Sequence, residues 1–190
     1  GFQNHPKNED AGKREVPFSN ELWIDAEDFM AEPVAGYHRL IPGGEVRLRG
    51  VGIVKCENVL MQDGLVSELH CTLDPDSRSG MEGSKRKVKG TIHWVCAKRA
   101  VPAEFRLFDR LFTVENPDSD DDGRTYRDYL NPQSLQVVHG FVEPAAALAV
   151  PEQNFQFERQ GYFVADRHQH AVGNPVFNRC VTLRDTWATK

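Results

Sequence analysis

Short stretches of alternating apolar and polar residues run through most of the chain, at the two-residue period of half-buried strands. Glu45-Val46-Arg47-Leu48-Arg49 is the clearest case: Val46 and Leu48 face one way and both arginines the other. Residues 52–56 follow, then 58–61 and 65–73 on either side of Gln62-Asp63-Gly64, where the Asp-Gly step predicts a hairpin turn. Further strands are predicted over 87–95, 103–108, 134–142, 155–159, 161–165 and 176–183. Helical signals are few. Asp25 is placed to cap 26–30, with Asp28 favourable in the first turn and Pro33 as the stop, and Pro144 opens one or two turns over 144–149. Many short strands separated by turn residues predict a mostly-β fold of two tandem small β-barrels with a few short helices. The polar, turn-rich segment 74–85 divides the strands, so 1–86 is read as the first barrel, completed by 166–190, and 87–165 as the second.

Composition fits this picture: 39% hydrophobic and 27% charged residues are globular, not disordered. No run approaches the roughly 18 apolar residues of a membrane span. Gly1-Phe2-Gln3-Asn4-His5-Pro6 lacks a charged region followed by an apolar stretch, so no secretory leader is visible and a cytoplasmic location is expected. The abrupt start is what a piece of a longer chain would show. Cys56, Cys71, Cys96 and Cys180 form no CxxC pair; four reduced, buried thiols are expected, without zinc.

The net charge of −5 argues against a nucleic-acid partner, but the charge is segregated. Eight basic residues against Glu104 and Asp109 lie between Lys85 and Arg110, and six acidic residues against Arg124 and Arg127 lie between Glu115 and Asp128. Such blocks can present a basic face on an acidic molecule.

No catalytic centre is expected. Glycine-rich phosphate loops, GxSxG and HExxH are absent. The seven histidines are scattered; His168 and His170 read as part of a solvated loop and His93 as a packed core residue. The arginine pattern says more. Arg39 precedes a Pro42-Gly43-Gly44 turn, and Arg47 and Arg49, about 6.6–6.8 Å apart on one strand face, match neighbouring phosphates of a single strand. Gln156 and Arg159 lie in and beside the aromatic pair Phe155 and Phe157. An amide with a guanidinium is suited to reading base edges.

With these motifs on view, the chain resembles the C-terminal anticodon-binding region of the bacterial type of glutaminyl-tRNA synthetase. The resemblance is carried in order along the chain by Asn4-His5-Pro6, Arg14-Glu15-Val16-Pro17-Phe18, Leu22-Trp23-Ile24-Asp25, Tyr37-His38-Arg39-Leu40, the Arg47/Arg49 strand and Lys87-Val88-Lys89-Gly90-Thr91-Ile92-His93-Trp94-Val95. It continues through Arg106-Leu107-Phe108-Asp109-Arg110-Leu111-Phe112, Phe155-Gln156-Phe157-Glu158-Arg159-Gln160-Gly161-Tyr162-Phe163 and Pro175-Val176-Phe177-Asn178-Arg179 to Leu183-Arg184-Asp185-Thr186-Trp187. It implies tandem barrels that grip the anticodon loop of glutamine tRNA, with an upstream class I catalytic domain that ligates glutamine to tRNA using ATP and Mg²⁺. No cofactor is expected in this piece, which should be inactive alone. The resemblance also implies roles: Arg39 at the third anticodon base, Arg47 and Arg49 at the first base and its phosphate, Gln156 and Arg159 at the middle base, and Thr186 near the first. His38 stands where a lysine is familiar, and Lys7 where an asparagine is, with Asn8 beside it. Lys87 and Lys89 are weaker candidates for the phosphates.

Two other readings stand beside this one. The archaeal and eukaryotic type of glutamyl-tRNA synthetase shares the expected architecture. A β-barrel protein-interaction module would instead bind through the acidic loop 118–122.

Overall fold

The computed structural model describes residues 1–5, 7–78, 80–118 and 123–183. The chain is mostly β and divides into two compact units, Gly1–Lys98 and Arg99–Lys190.

The first unit holds β1 (Phe2–Gln3), β2 (Lys13–Arg14), β3 (Leu22–Trp23), β4 (Glu45–Leu48), β5 (Gly52–Gln62), β6 (Leu65–Leu73), β7 (Thr91–Ile92) and β8 (Val95–Cys96). Its main sheet runs β6-β5-β4-β7, flanked by the pairs β1-β2 and β3-β8. The alternation in β4 buries Val46 and Leu48, which join Leu40, Val54, Cys56, Ile92 and Trp94 in one core. The two strands expected at 52–56 and 58–61 are one: the irregularity at Glu57 is absorbed as a bulge between Cys56 and Asn58. Asp63 (φ 52°) and Gly64 (φ 79°) both adopt positive φ, which turns β5 into β6 with the twist a tight hairpin needs.

The second unit holds β9 (Val101–Phe108), β10 (Leu135–Val142), the short helix α1 (Pro144–Ala147), β11 (Asn154–Phe157), β12 (Gly161–Ala165) and β13 (Val176–Val181). They form one sheet in the order β10-β9-β13-β12-β11, antiparallel except where β13 runs parallel to β9. Phe177, fully buried, is the hub of its core: Phe105 stacks on it and Phe155 and Phe157 meet it edge-on, all with centroids within 5.8 Å.

Three expectations are corrected. The sheets are not closed as barrels; β10 and β11 end the five-stranded sheet without pairing with each other. The division lies at 98/99 rather than 86/87, because Arg47 and Arg49 donate their N–H groups to Gly90 and Ile92 and so bind β7 into the first unit. Residues 176–181 do not return to the first unit, since β13 is hydrogen-bonded between β9 and β12. At smaller scale, the predicted helix at 26–30 is a 3-10 turn, Ala26–Asp28, and Asp25 makes no capping bond. Cys71 and Cys180 are exposed, leaving Cys56 and Cys96 as the buried thiols. His170 lies in the loop between β12 and β13, as expected, but that part of the loop is not solvated. His170 is 5% exposed, its Nδ1 accepts from the Val176 N–H at 3.2 Å, and its Nε2 faces the Ala149 carbonyl at 3.1 Å.

Candidate nucleic-acid interface

In the first unit, one close backbone approach gathers most of the candidates. A Cβ on Gly90 would collide with the His38 carbonyl, so only glycine lets the 87–90 segment lie against the 38–39 segment. On its other side Gly90 accepts from Arg47. His38, Arg39, Arg47, Arg49, Lys87 and Lys89 are thereby brought into one neighbourhood, although they come from three separate stretches of chain.

Their side chains differ in what they can still do. Arg39 is half-buried; its Nη1 pairs with the carboxylate of Asp28 at 3.1 Å and donates to the Glu27 carbonyl at 3.1 Å. Asp28 is completely buried, so Arg39 is the counter-charge that makes its burial tolerable. The far edge of the same guanidinium has no further partner among the described residues, which leaves donors for a ligand. Arg47 is committed otherwise: Nη1 donates to the Ser77 carbonyl at 3.1 Å and Nη2 to the Arg86 carbonyl at 2.8 Å. It ties the 77–86 loop to β4 rather than presenting an open fork. Arg49, His38, Lys87 and Lys89 are exposed. Asn8 caps the turn Glu9–Ala11 through its Oδ1 and the Asp10 N–H, and Lys7 beside it is exposed.

The basic block from Lys85 to Arg110 is less open than its composition implies. Arg86 forms a fork with Glu45 (2.7 and 3.2 Å) and reaches Asp74 at 2.9 Å. Its hydrogen bonds hold both carboxyls below the usual carboxylate range and raise the guanidinium's own pKa. Arg106 pairs with Glu104 (2.7 Å), Asp166 (3.4 Å) and Gln169. Lys98 donates to Asn20.

In the second unit, Gln156 lies on β11 on the exposed face, opposite the side that sends Phe155 and Phe157 to the core. Arg159 sits in the turn between β11 and β12 at φ 63°, one of three non-glycine residues with positive φ among those described. A long side chain held there is strained, and such outliers are a mark of functional positions. Across from Gln156 in the β11-β12 ladder stands Tyr162, 48% exposed, which the sequence reading did not single out. The signal was present: alternation over 161–165 puts Tyr162 on the outer face once the turn is fixed at 158–160. Thr186 and residues 119–122, which include three of the four aspartates of the expected acidic loop, lie outside the described residues.

Among the described residues, no three His, Cys, Asp or Glu side chains are grouped to hold a metal ion, and no helix is long and apolar enough to cross a membrane. What the arrangement offers is guanidinium, amide, ammonium and exposed aromatic groups on β-sheet faces, a set suited to unstacked nucleotides.

Comparison with known proteins bears on which nucleic acid. Two family models, both described as the anti-codon binding domain of class I (E and Q) tRNA synthetases, match residues 2–74 and 91–166. Among curated proteins, the chain is 63% identical over 188 residues to the glutamine–tRNA ligase of Xanthomonas euvesicatoria pv. vesicatoria, covering 98% of this chain and 32% of that protein. It is 63% identical over 187 residues to the glutamine–tRNA ligase of Xylella fastidiosa, again 98% of this chain and 32% of the relative. The chain thus spans about a third of the length of the relatives it matches.

Proposed function

The chain belongs to the anticodon-binding domains of the class I (E and Q) tRNA synthetases, and from that membership we propose that it recognises the anticodon loop of glutamine tRNA as the C-terminal part of a glutamine–tRNA ligase. The observation that carries this is the likeness to bacterial ligases along nearly the whole chain, through both units. In this reading the parent enzyme joins glutamine to its tRNA in the cytoplasm. ATP and Mg²⁺ are held by an upstream catalytic domain, and no residue described above is asked to bind them.

Each unit makes its own contribution. In the first, the open edge of Arg39 reads a base, Arg49 and His38 lie at a base or its phosphate, and Lys87 and Lys89 supply sequence-blind attraction. Arg47 acts chiefly by fixing the Arg86–Gly90 segment that carries those lysines. In the second, Gln156 and Arg159 read the edge of one base. Thr186, Lys7 and Asn8 complete the proposed set. Bases of a loop can be splayed outward and read on their Watson–Crick edges, which is the chemistry these groups offer.

The test is binding of an anticodon stem-loop of glutamine tRNA beside one whose three anticodon bases are exchanged. A bidentate base contact carries about 1–3 kcal/mol, so each lost contact should weaken binding by about fivefold to 150-fold. Equal affinity for the two RNAs removes the base-reading function.

A further inference from the structure

The outer face of β11, β12 and β13 carries a row across three strands: Gln156 opposite Tyr162, and Tyr162 opposite Val181. Two observations make this row unlike an ordinary solvated face. The first is register. Ala165 donates its N–H to the Gln153 carbonyl and accepts from the Glu152 N–H, so both backbone groups of position 165 turn toward the strand that carries Gln156. Pairs alternate along an antiparallel ladder, so 155/163 and 157/161 are hydrogen-bonded and 156/162 is not. A non-hydrogen-bonded pair is the closer kind, with side chains directly abreast and Cβ atoms about 4.5–5.5 Å apart. The Tyr162 and Gln156 side chains therefore leave the sheet side by side on the same face.

The second observation is that, among the described residues, Tyr162 makes no hydrogen bond or ring contact that would tie it to the fold. The chain has four tyrosines. Tyr37 donates its hydroxyl to the Glu27 carbonyl, Tyr126 accepts from Arg127, and the ring of Tyr129 lies under the Arg124 guanidinium. Tyr162 has neither a hydrogen bond nor a ring partner among the described residues, and Val181 beside it is exposed too. The backbone is nevertheless shaped at this point. Gly161 sits at φ 138°, so close to the Val181 carbonyl that a Cβ would not fit, and the register shifts between Tyr162 and Phe163. A bulge of this kind re-aims a side chain.

We propose that Tyr162 is a stacking platform for the nucleotide whose edge Gln156 reads: the base lies on the phenol ring and turns its polar edge to the amide. This rests on the reading of the chain as an anticodon-binding piece and adds a residue to it. Stacking is indifferent to base identity, so Tyr162 supplies affinity and holds the base in the orientation in which the neighbouring amide can discriminate.

The experiment uses the whole chain with the glutamine tRNA anticodon stem-loop, the loop with exchanged anticodon bases, and three loops each abasic at one anticodon position. Tyr162→Leu should weaken binding of the intact loop by about fivefold to 100-fold, and Tyr162→Phe by less than about twofold, since the ring is kept. Against one of the three abasic loops the Tyr162→Leu loss should vanish, and Gln156→Ala should lose its effect on that same loop. A wild-type chain that does not distinguish the native from the exchanged loop overturns the anticodon reading and this inference together. Wild-type discrimination with Tyr162→Leu unchanged overturns the inference alone. So does a loss that is the same on all three abasic loops, which would be structural, or an equal loss in Tyr162→Phe, which would assign the role to the hydroxyl.

Discussion

Arg39 and Arg159 look alike in the sequence and stand in opposite relations to the fold. Arg39 neutralises the buried carboxylate of Asp28. Arg39→Ala removes a cation 3.1 Å from that buried carboxylate, so the first unit should lose stability, by no more than the low end of about 3–5 kcal/mol because Arg39 is partly exposed. Chemical denaturation checks this, and an unchanged midpoint would refute the pairing. Any binding defect of Arg39→Ala must then be measured well below its unfolding transition. Arg159 is the reverse case: the fold bears a cost to hold it at φ 63°. Arg159→Gly relieves that backbone cost, up to about 1 kcal/mol, but also removes the contacts of the side chain, and it should weaken RNA binding; unchanged binding would refute its role at a base. A variant that melts earlier than wild type would mean the side chain serves the structure. The identities of the candidate arginines were legible in the sequence, since residue type and spacing show chemistry directly. Their commitments were not. Nothing local to Arg47 announces that its guanidinium will reach the carbonyls of Ser77 and Arg86, because those contacts depend on a loop closing from 30 and 39 residues away.

Among the elements, strands with a two-residue period and a definite turn could be read from sequence: β4, β6, β10 and β12 lie within a residue of their predicted limits. The 87–95 stretch could not, since only Thr91–Ile92 and Val95–Cys96 pair, and the close approach of Gly90 to His38 is a tertiary event. Two elements have consequences that can be measured. On β5 and β6, Cys56 directs its N–H and carbonyl to Gly44 and Gly43, so Cys56 and Cys71 face each other as a non-hydrogen-bonded, close pair. Burial of the thiol, with Cys56 against it, pushes Cys71 up to about 12. Cys71 should therefore alkylate slowly at pH 8 although its residue is exposed, more slowly than Cys180, and labelling at equal rates would contradict it. Where β9 and β13 run parallel, Asp166 is held at about 2 instead of 3.8, by the Asn178 amide first, then by the His168 and Gln169 N–H groups, with Arg106 adding to it. A folded pKa below the unfolded one contributes stability that is complete above about pH 4 and is lost as pH falls toward 2, on the order of 1–2 kcal/mol for a side chain in contact with solvent. Asp166→Asn should flatten that limb of the unfolding profile and leave its neutral part lower. A wild-type profile already flat between pH 4 and 2 would refute the assignment.

At the scale of the whole molecule the question is how a chain of net charge −5 attracts a polyanion. Counting basic residues between Lys85 and Arg110 overstates the answer, because Arg86 and Arg106 are each forked onto carboxylates and cancel inside the fold. Among the described residues, the exposed cations of this region that are not forked onto carboxylates include Lys87 and Lys89, with Lys7 elsewhere in the first unit. Affinity for RNA should then depend only modestly on salt. Each phosphate neutralised on a single strand contributes about −0.7 to the slope of log K against log salt, so two or three contacts give a slope of roughly −1.5 to −2. Lys87→Ala with Lys89→Ala should remove about 1.4 from that slope and weaken native and base-exchanged loops by the same factor. Arg86→Ala, by contrast, should leave the slope in place and act on stability, since its charge is already spent on Glu45 and Asp74. Titrations of these variants at several salt concentrations separate the two kinds of cation. A slope that falls with Arg86→Ala and survives loss of both lysines would reverse the assignment of which charges face the RNA.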